Sequence, residues 1–360
     1  MHVWMLVWVL MAPSPGGPSA GFFSKGVTPI DTGITAAQGG ISAFRAAECR
    51  TCHEEIYDEW SRSRHHLSWT NGIFQLEYQQ QPRAWCVNCH APLMEQVAQV
   101  NAGGGELADE GITCVACHVR AGRMTARRQR PGSIHETQVD PNFGNPDFCG
   151  GCHQFNFPIF GDKGEALSFT EHPMQRTLTQ FQAGPHAQSA DGCRTCHSAT
   201  PAQHLYPGAH SPAMLDKALE LVFCRPAPGR LRVGVHNVGA GHNVPTGDVH
   251  RHMNARVWRS TAPEAMFEVF VGRRFEVDPK GGKRTTWDST LPPGKLRRFD
   301  FNESKIKGRP DEPINVELRY VYGIEEWPRH GHDPGEPMSH IVEEGRMLPS
   351  AVPPCPTETR

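Results

Sequence analysis

The chain has 360 residues, of which 38% are hydrophobic, with 36 glycines, 31 prolines and a formal charge of −2. An apolar share below the usual ~45–50%, combined with this much Gly and Pro, excludes a large core built from side chains alone. The near-zero charge and pI of 6.8 exclude a partner held by net charge, whether nucleic acid or membrane surface.

Residues 1–20 carry an apolar run followed by a Pro/Gly/Ser stretch ending in Ala20. The run is too short to span a bilayer and sits where the h-region of a signal peptide belongs, so a signal peptide is expected. The fit is imperfect, because no Lys or Arg precedes the run and Pro18-Ser19-Ala20 is a poor cleavage site. A short buried element is the rival reading. Residues 21–44 read as a linker, having no sustained period.

Between residues 49 and 197 the pentapeptide Cys-x-x-Cys-His occurs five times. The copies are Cys49/Cys52/His53, Cys86/Cys89/His90, Cys114/Cys117/His118, Cys149/Cys152/His153 and Cys193/Cys196/His197. This spacing is that of c-type haem attachment, in which two thiols form thioethers and the adjacent His takes one axial position on iron. Disulfide frameworks and zinc ribbons do not require His after every pair. Five haem c groups are therefore expected, and their macrocycles would supply the apolar surface that the composition lacks. Thioether attachment of this kind takes place outside the cytoplasm, which points to a periplasmic or extracellular protein.

Residues 45–216 form the expected haem domain, mainly irregular and α-helical. Ala47–Trp69 is its best helix candidate, which would set His53 and His65 about 18 Å apart along one axis, so that His65 serves a neighbouring haem. Trp60 and His65 are echoed by Phe181 and His186, each His standing five residues after an aromatic, which makes both of them candidate distal ligands. Residues 101–113 read as a Gly-rich turn, not a phosphate loop, because no Lys-Ser/Thr follows. The arm carrying Arg120, Arg123, Arg127, Arg128 and Arg130 reads as a propionate clamp or docking patch, or as a solvated hairpin. His135 follows it. His204 and His210 bracket a Tyr-Pro-Gly turn, and His210 is the one chosen to bind iron.

From about residue 221 the period changes to two. Leu231, Val233 and Val235, then Ile314, Val316, Leu318, Tyr320 and Tyr322, alternate with polar residues. This predicts an antiparallel β-sandwich over 221–325, with turns at 278–282 and 291–294. Within it Val238-Gly-Ala-Gly-His242 exposes a His on a glycine-rich turn, where close approach to a haem edge would make His242 a distal ligand. The tail, 326–360, reads as irregular. Cys224 and Cys355 are left over, as a disulfide or as two unrelated thiols.

The segments CRTCHEEIYDEWSRSRH, EGITCVACHVRAGRM, DFCGGCHQFNFP, HLYPGAHSPAMLDKAL and VGAGHNVPTGD resemble a family of bacterial multihaem c-type cytochromes, related in haem packing to the tetrahaem cytochrome c of ammonia oxidisers. The resemblance spans about residues 48–250. It implies closely packed bis-histidine haems, a C-terminal β-domain and electron exchange with other redox proteins. It also implies distal roles for His65, His135, His210 and His242, while His186 stands outside the matched positions.

An electron carrier competes with a multihaem oxidoreductase acting on nitrite, hydroxylamine or a sulfur oxyanion at a haem with an open axial position. All five motifs end in His rather than the Lys of the resembling nitrite reductases, and fifteen further histidines remain to close the irons. No Tyr is placed obviously for a crosslink, although Tyr57 lies near a motif. These features favour the carrier. Only four distal ligands stand out clearly, which keeps the enzyme in view. A docked or stacked assembly through the β-domain is a further option that nothing in the sequence tests.

Overall fold

The computed structural model describes residues 28–34, 44–200, 203–278, 282–324, 331 and 333–356. The expected signal peptide and most of the expected linker lie outside these residues. The helical part comprises α1 (Ala46–Arg50), α2 (Glu54–Ser61), α3 (Gly72–Gln80), α4 (Ala84–His90), α5 (Met94–Asn101), α6 (Glu106–Asp109) and α7 (Cys114–His118). A small sheet of β1 (Val119–Arg120), β2 (Arg123–Ala126) and β3 (Thr137–Val139) follows, then α8 (Pro146–His153), the hairpin β4 (Gln154–Phe160) and β5 (Ala166–Arg176), and α9 (Thr177–Gln182), α10 (Arg194–His197) and α11 (Pro212–Ala218). The remainder is β6 (Leu219–Ala227), β7 (Arg230–Asn237), β8 (His252–Arg259), β9 (Phe267–Val271), β10 (Arg273–Val277), β11 (Lys283–Asp288), β12 (Leu296–Asn302), β13 (Ile314–Val321) and β14 (Ser339–Met347).

The helices are short and their starts are chemically marked. Asn71, Thr113 and Asn145 each accept a backbone N–H from the first turn of α3, α7 and α8, and Pro146 opens α8. The single helix expected over Ala47–Trp69 is instead α1, a break and α2. His53 leaves helical geometry at φ −123°, ψ 47°, so His53 and His65 do not share an axis. Apolar packing in this half is confined to small groups, one around Trp69, Val87, Ala91 and Ala108 and another around Leu93, Val115, Ala116 and Val119.

The second half differs in kind. Sheet β12–β7–β6 faces sheet β14–β13–β8–β9 across one continuous core. Val316 pairs with Val257, Leu318 with Ala255 and Tyr320 with Met253, and all six are at most 3% exposed. Burying each aliphatic side chain contributes about 1.5–3 kcal/mol, so this region has the conventional core that the helical half does not. The alternation at Leu231–Val235 and Ile314–Tyr320 reads directly onto β7 and β13.

The tail expected to be irregular contributes β14, an edge strand on β13, and then a disulfide from Cys355 to Cys224 on β6. Half-exposed and rich in charge, β14 lacks the apolar alternation that marks a strand buried on one face. The two halves are joined where the β10–β11 ribbon meets the β4–β5 hairpin. Arg273 donates to the carbonyls of Met174 and Pro173, and Arg176 pairs with Asp288. No helix among the described residues is long and apolar enough to cross a membrane.

Candidate haem centres

All five pentapeptides open onto one continuous cavity of about 2350 Å³, reached from both halves of the chain. That is several-fold more than the ~300–1,000 Å³ of an ordinary small-molecule pocket. In α4, α7 and α8 the pentapeptide ends the helix, which sets its two cysteines one turn apart on one face with the His at the C-terminus.

Backbone carbonyls hold several of the rings. The Nδ1 atoms of His90, His118, His197 and His242 lie 2.7, 3.3, 2.6 and 2.8 Å from the carbonyl oxygens of Ser68, Thr125, Pro207 and Asn243. A carbonyl can only accept, so Nδ1 carries the proton and Nε2 keeps its lone pair for a metal. Burial pushes His65, His118 and His153 down to about 4, and lowers His90 and His242 as well, which keeps these rings neutral.

Four motif histidines face a second histidine. Ring centres are 6.5 Å apart for His53 and His135, 6.2 Å for His118 and His204, 6.5 Å for His153 and His65, and 6.3 Å for His197 and His242. A metal–nitrogen bond of about 2.0 Å, with the ring centre about 1.1 Å behind the nitrogen, sets two imidazole centres about 6.2 Å apart across one iron. The spacing leaves room for one metal between the rings, unlike the 3.7 Å contact of Phe74 on His90. Among the described residues no third His, Cys, Asp or Glu closes in to make a bare-metal cluster. Two axial nitrogens are all that a haem iron asks of the protein.

Polar orphans fit the same group. The Nε atoms of Arg83 and Arg251, which line this cavity, are buried without a hydrogen-bond acceptor. A haem propionate is an acceptor of the right charge for such donors. Thiols of different motifs also meet, Cys49 with Cys114, Cys89 with Cys152 and Cys149 with Cys193.

Of His204 and His210, it is His204 that faces a motif His. Tyr206 adopts φ +46°, a left-handed conformation that turns the chain between them. His210 instead stacks on Tyr322 with centres 4.0 Å apart, and burial next to Arg251 and Arg64 lowers it to about 3. His186 lies exposed beside Gly241, where an added Cβ would stand 3.1 Å from its ring. The glycines before His242 thus admit neighbouring chain, since Gly239 abuts the Lys217 carbonyl. Buried Asn237 fixes this loop by donating to the carbonyls of His242 and Leu291.

His90 differs from the other four. Phe74 stacks on its flat face at 3.7 Å, and among the described residues no second imidazole is recorded opposite it. Residues that sequence reasoning missed are Tyr206 and Phe74, while His204 is weighed there and passed over for His210. Only the Tyr-Pro step carried a readable signal, because a residue before proline is restricted.

Known proteins share part of this sequence and its fold. Residues 48–119 match the family model for cytochrome c554 and c-prime. The crystal structure of a penta-heme cytochrome c552 from Thermochromatium tepidum superposes with a TM-score of 0.64 at 18% identity, covering 84% of this chain and 98% of that one. No curated protein sequence matches the chain. A helical and irregular first half followed by antiparallel sheets is thus a fold this chain shares with a penta-heme cytochrome, and the matched motifs support haem c as its cofactor.

Proposed function

We propose that this chain is an exported electron-transfer cytochrome that carries five haem c groups and exchanges electrons with other redox proteins. The observation that carries the reading is the set of four opposed imidazole pairs at 6.2–6.5 Å. On this reading each motif supplies two thioether sulfurs and a proximal His. The distal ligands are His135 for the first site, His204 for the third, His65 for the fourth and His242 for the fifth. The haem supplies the one-electron couple. The protein supplies axial nitrogens, a buried cavity and arginines for propionates, which tune potential and exclude solvent.

The thiol contacts suggest the routing. They link the first site to the third, and the second and fifth to the fourth. Export is supported by the Cys224–Cys355 disulfide, a bond that persists in oxidising compartments. We further assign residues 45–216 as the haem domain and 221–325 as the β-domain, completed by β14.

A second reading attaches to His90. If no protein ligand completes that iron, the site becomes an oxidoreductase centre for nitrite, hydroxylamine or a sulfur oxyanion. One experiment separates the two. A haemochrome assay should return five haems per chain, and the oxidised protein should give only low-spin EPR signals. A count below five sinks the proposal. A high-spin signal altered by added nitrite or hydroxylamine would establish the second reading.

A further inference from the structure

We propose that Tyr206 is the positioning residue at the junction between the third and fourth haem sites, its ring setting the relative orientation of their two distal imidazoles. The inference rests on reading the opposed histidine pairs as haem ligands.

The ring of Tyr206 lies against both imidazoles at once. Its centre is 5.0 Å from that of His65 and 5.8 Å from that of His204, at interplanar angles of 50° and 77°. His65 faces His153 of the fourth motif, and His204 faces His118 of the third. The thiol contacts divide the sites into two groups, first with third and second and fifth with fourth. Tyr206 therefore stands where the two groups meet.

The backbone makes an accident of packing a poor account of this. Tyr206 sits at φ +46° with Pro207 after it. A bulky side chain in the left-handed region is disfavoured, and a following proline restricts the residue further. Glycine would make the same turn without strain, so the turn itself does not call for an aromatic. The conformation is over-determined on both sides. Glu59 accepts the backbone N–H of His204 at 2.6 Å, and the Pro207 carbonyl meets Nδ1 of His197 at 2.6 Å. The Ser198 hydroxyl, next to His197, donates to the Gln203 carbonyl at 2.7 Å and ties the start of the loop. One short loop thus touches ligands of the third, fourth and fifth sites, and its single aromatic ring is wedged between two of them. Haems held at these two sites would supply the one-electron exchange across the junction, with no bond made or broken. The part left to the protein is to hold both ligand planes still.

The test uses the full-length holoprotein and the variants Tyr206→Gly, Tyr206→Leu and Tyr206→Phe. Tyr206→Gly suits the left-handed backbone and removes only the ring, so all five haems should be retained in the haemochrome assay. We expect two of its low-spin EPR signals to shift in g value. After sub-stoichiometric flash reduction by a photoreduced flavin, redistribution of electrons among the haems should slow. Tyr206→Phe should restore both readouts. Unshifted signals and unchanged redistribution in Tyr206→Gly would overturn the proposal, as would Tyr206→Phe behaving like Tyr206→Gly, which would assign the effect to the hydroxyl. Should Tyr206→Gly not accumulate, Tyr206→Leu reads the same question, keeping bulk without a flat face, and the same shifts are expected of it. The haemochrome count tests the haem reading separately.

Discussion

His197 and His242 lie with their ring planes 8° from parallel and their centres 6.3 Å apart, one on a pentapeptide of the helical half and the other on a loop between β7 and β8. On the proposed assignment the β-domain is therefore a structural part of the fifth centre. In a His242→Ala variant the thioethers remain, so the haem count should stay at five. One low-spin EPR signal should be replaced by a high-spin one, while the other pairs keep theirs. A spectrum unchanged from wild type would place the fifth iron's distal ligand elsewhere.

The Cys224–Cys355 bridge spans 131 residues of sequence. Chain-entropy reasoning gives about 5 kcal/mol for a loop of that length, and measured values for disulfides run at about 2–4 kcal/mol. Cys355→Ser should accordingly lower the unfolding free energy of the β-domain by about 2–4 kcal/mol. The domain's far-UV circular dichroism in denaturant measures this, with the haem Soret band as an independent probe of the other half.

Acid should weaken one cross-strand pair in the same domain. On β7 and β12, Arg232 and Asp300 form two hydrogen bonds of 2.6 and 2.9 Å, which hold the Asp300 carboxyl below its ordinary value. The folded-state value is depressed, so the stabilisation is fully present above the unfolded carboxylate pKa of about 3.9 and is lost as pH falls through the depressed value. The pair is partly solvated, so Arg232→Met should cost about 0.2–1 kcal/mol at pH 7. The difference should shrink at low pH and in high salt, as urea melts at several pH values would record.

Glu110 ties the first motif to the third. Its carboxylate accepts the Ala46 backbone N–H at 2.9 Å, at the start of the helix carrying Cys49, and Arg45 Nε at 2.7 Å. Glu110→Ala leaves a buried N–H without an acceptor and should cost about 1–3 kcal/mol. Glu110→Gln keeps an acceptor and should cost less. Proteolysis of the 45–62 segment offers a local readout.

What could be read from the residues alone follows a physical division. A Cys-x-x-Cys-His turn is a local object, complete within five residues, so its chemistry needs no tertiary information. The β7 and β13 strands were equally plain, because a sheet with one buried face imposes period two. Each opposed imidazole is by contrast a long-range fact. One backbone angle at Tyr206 turns the chain between His204 and His210, and His186 sits in close approach to Gly241. The 47–69 segment has the composition of a helix, yet His53 leaves the helical region where its ring must turn toward a partner far along the chain. β14 was hidden because an exposed edge strand carries charges where a buried one carries valines. The disulfide could not be paired from spacing, since nothing in sequence brings residues 224 and 355 together.

The pairings also have a consequence for how such a protein is made. In the proposed assignment, the first motif waits for His135, the third for His204 and the fifth for His242, while His65 is synthesised early and held for the fourth. No site whose second ligand comes later can close until that ligand has been made. Covalent attachment can then precede axial closure at the first, third and fifth sites, and the fifth stays open until the β-domain strands flanking His242 are present.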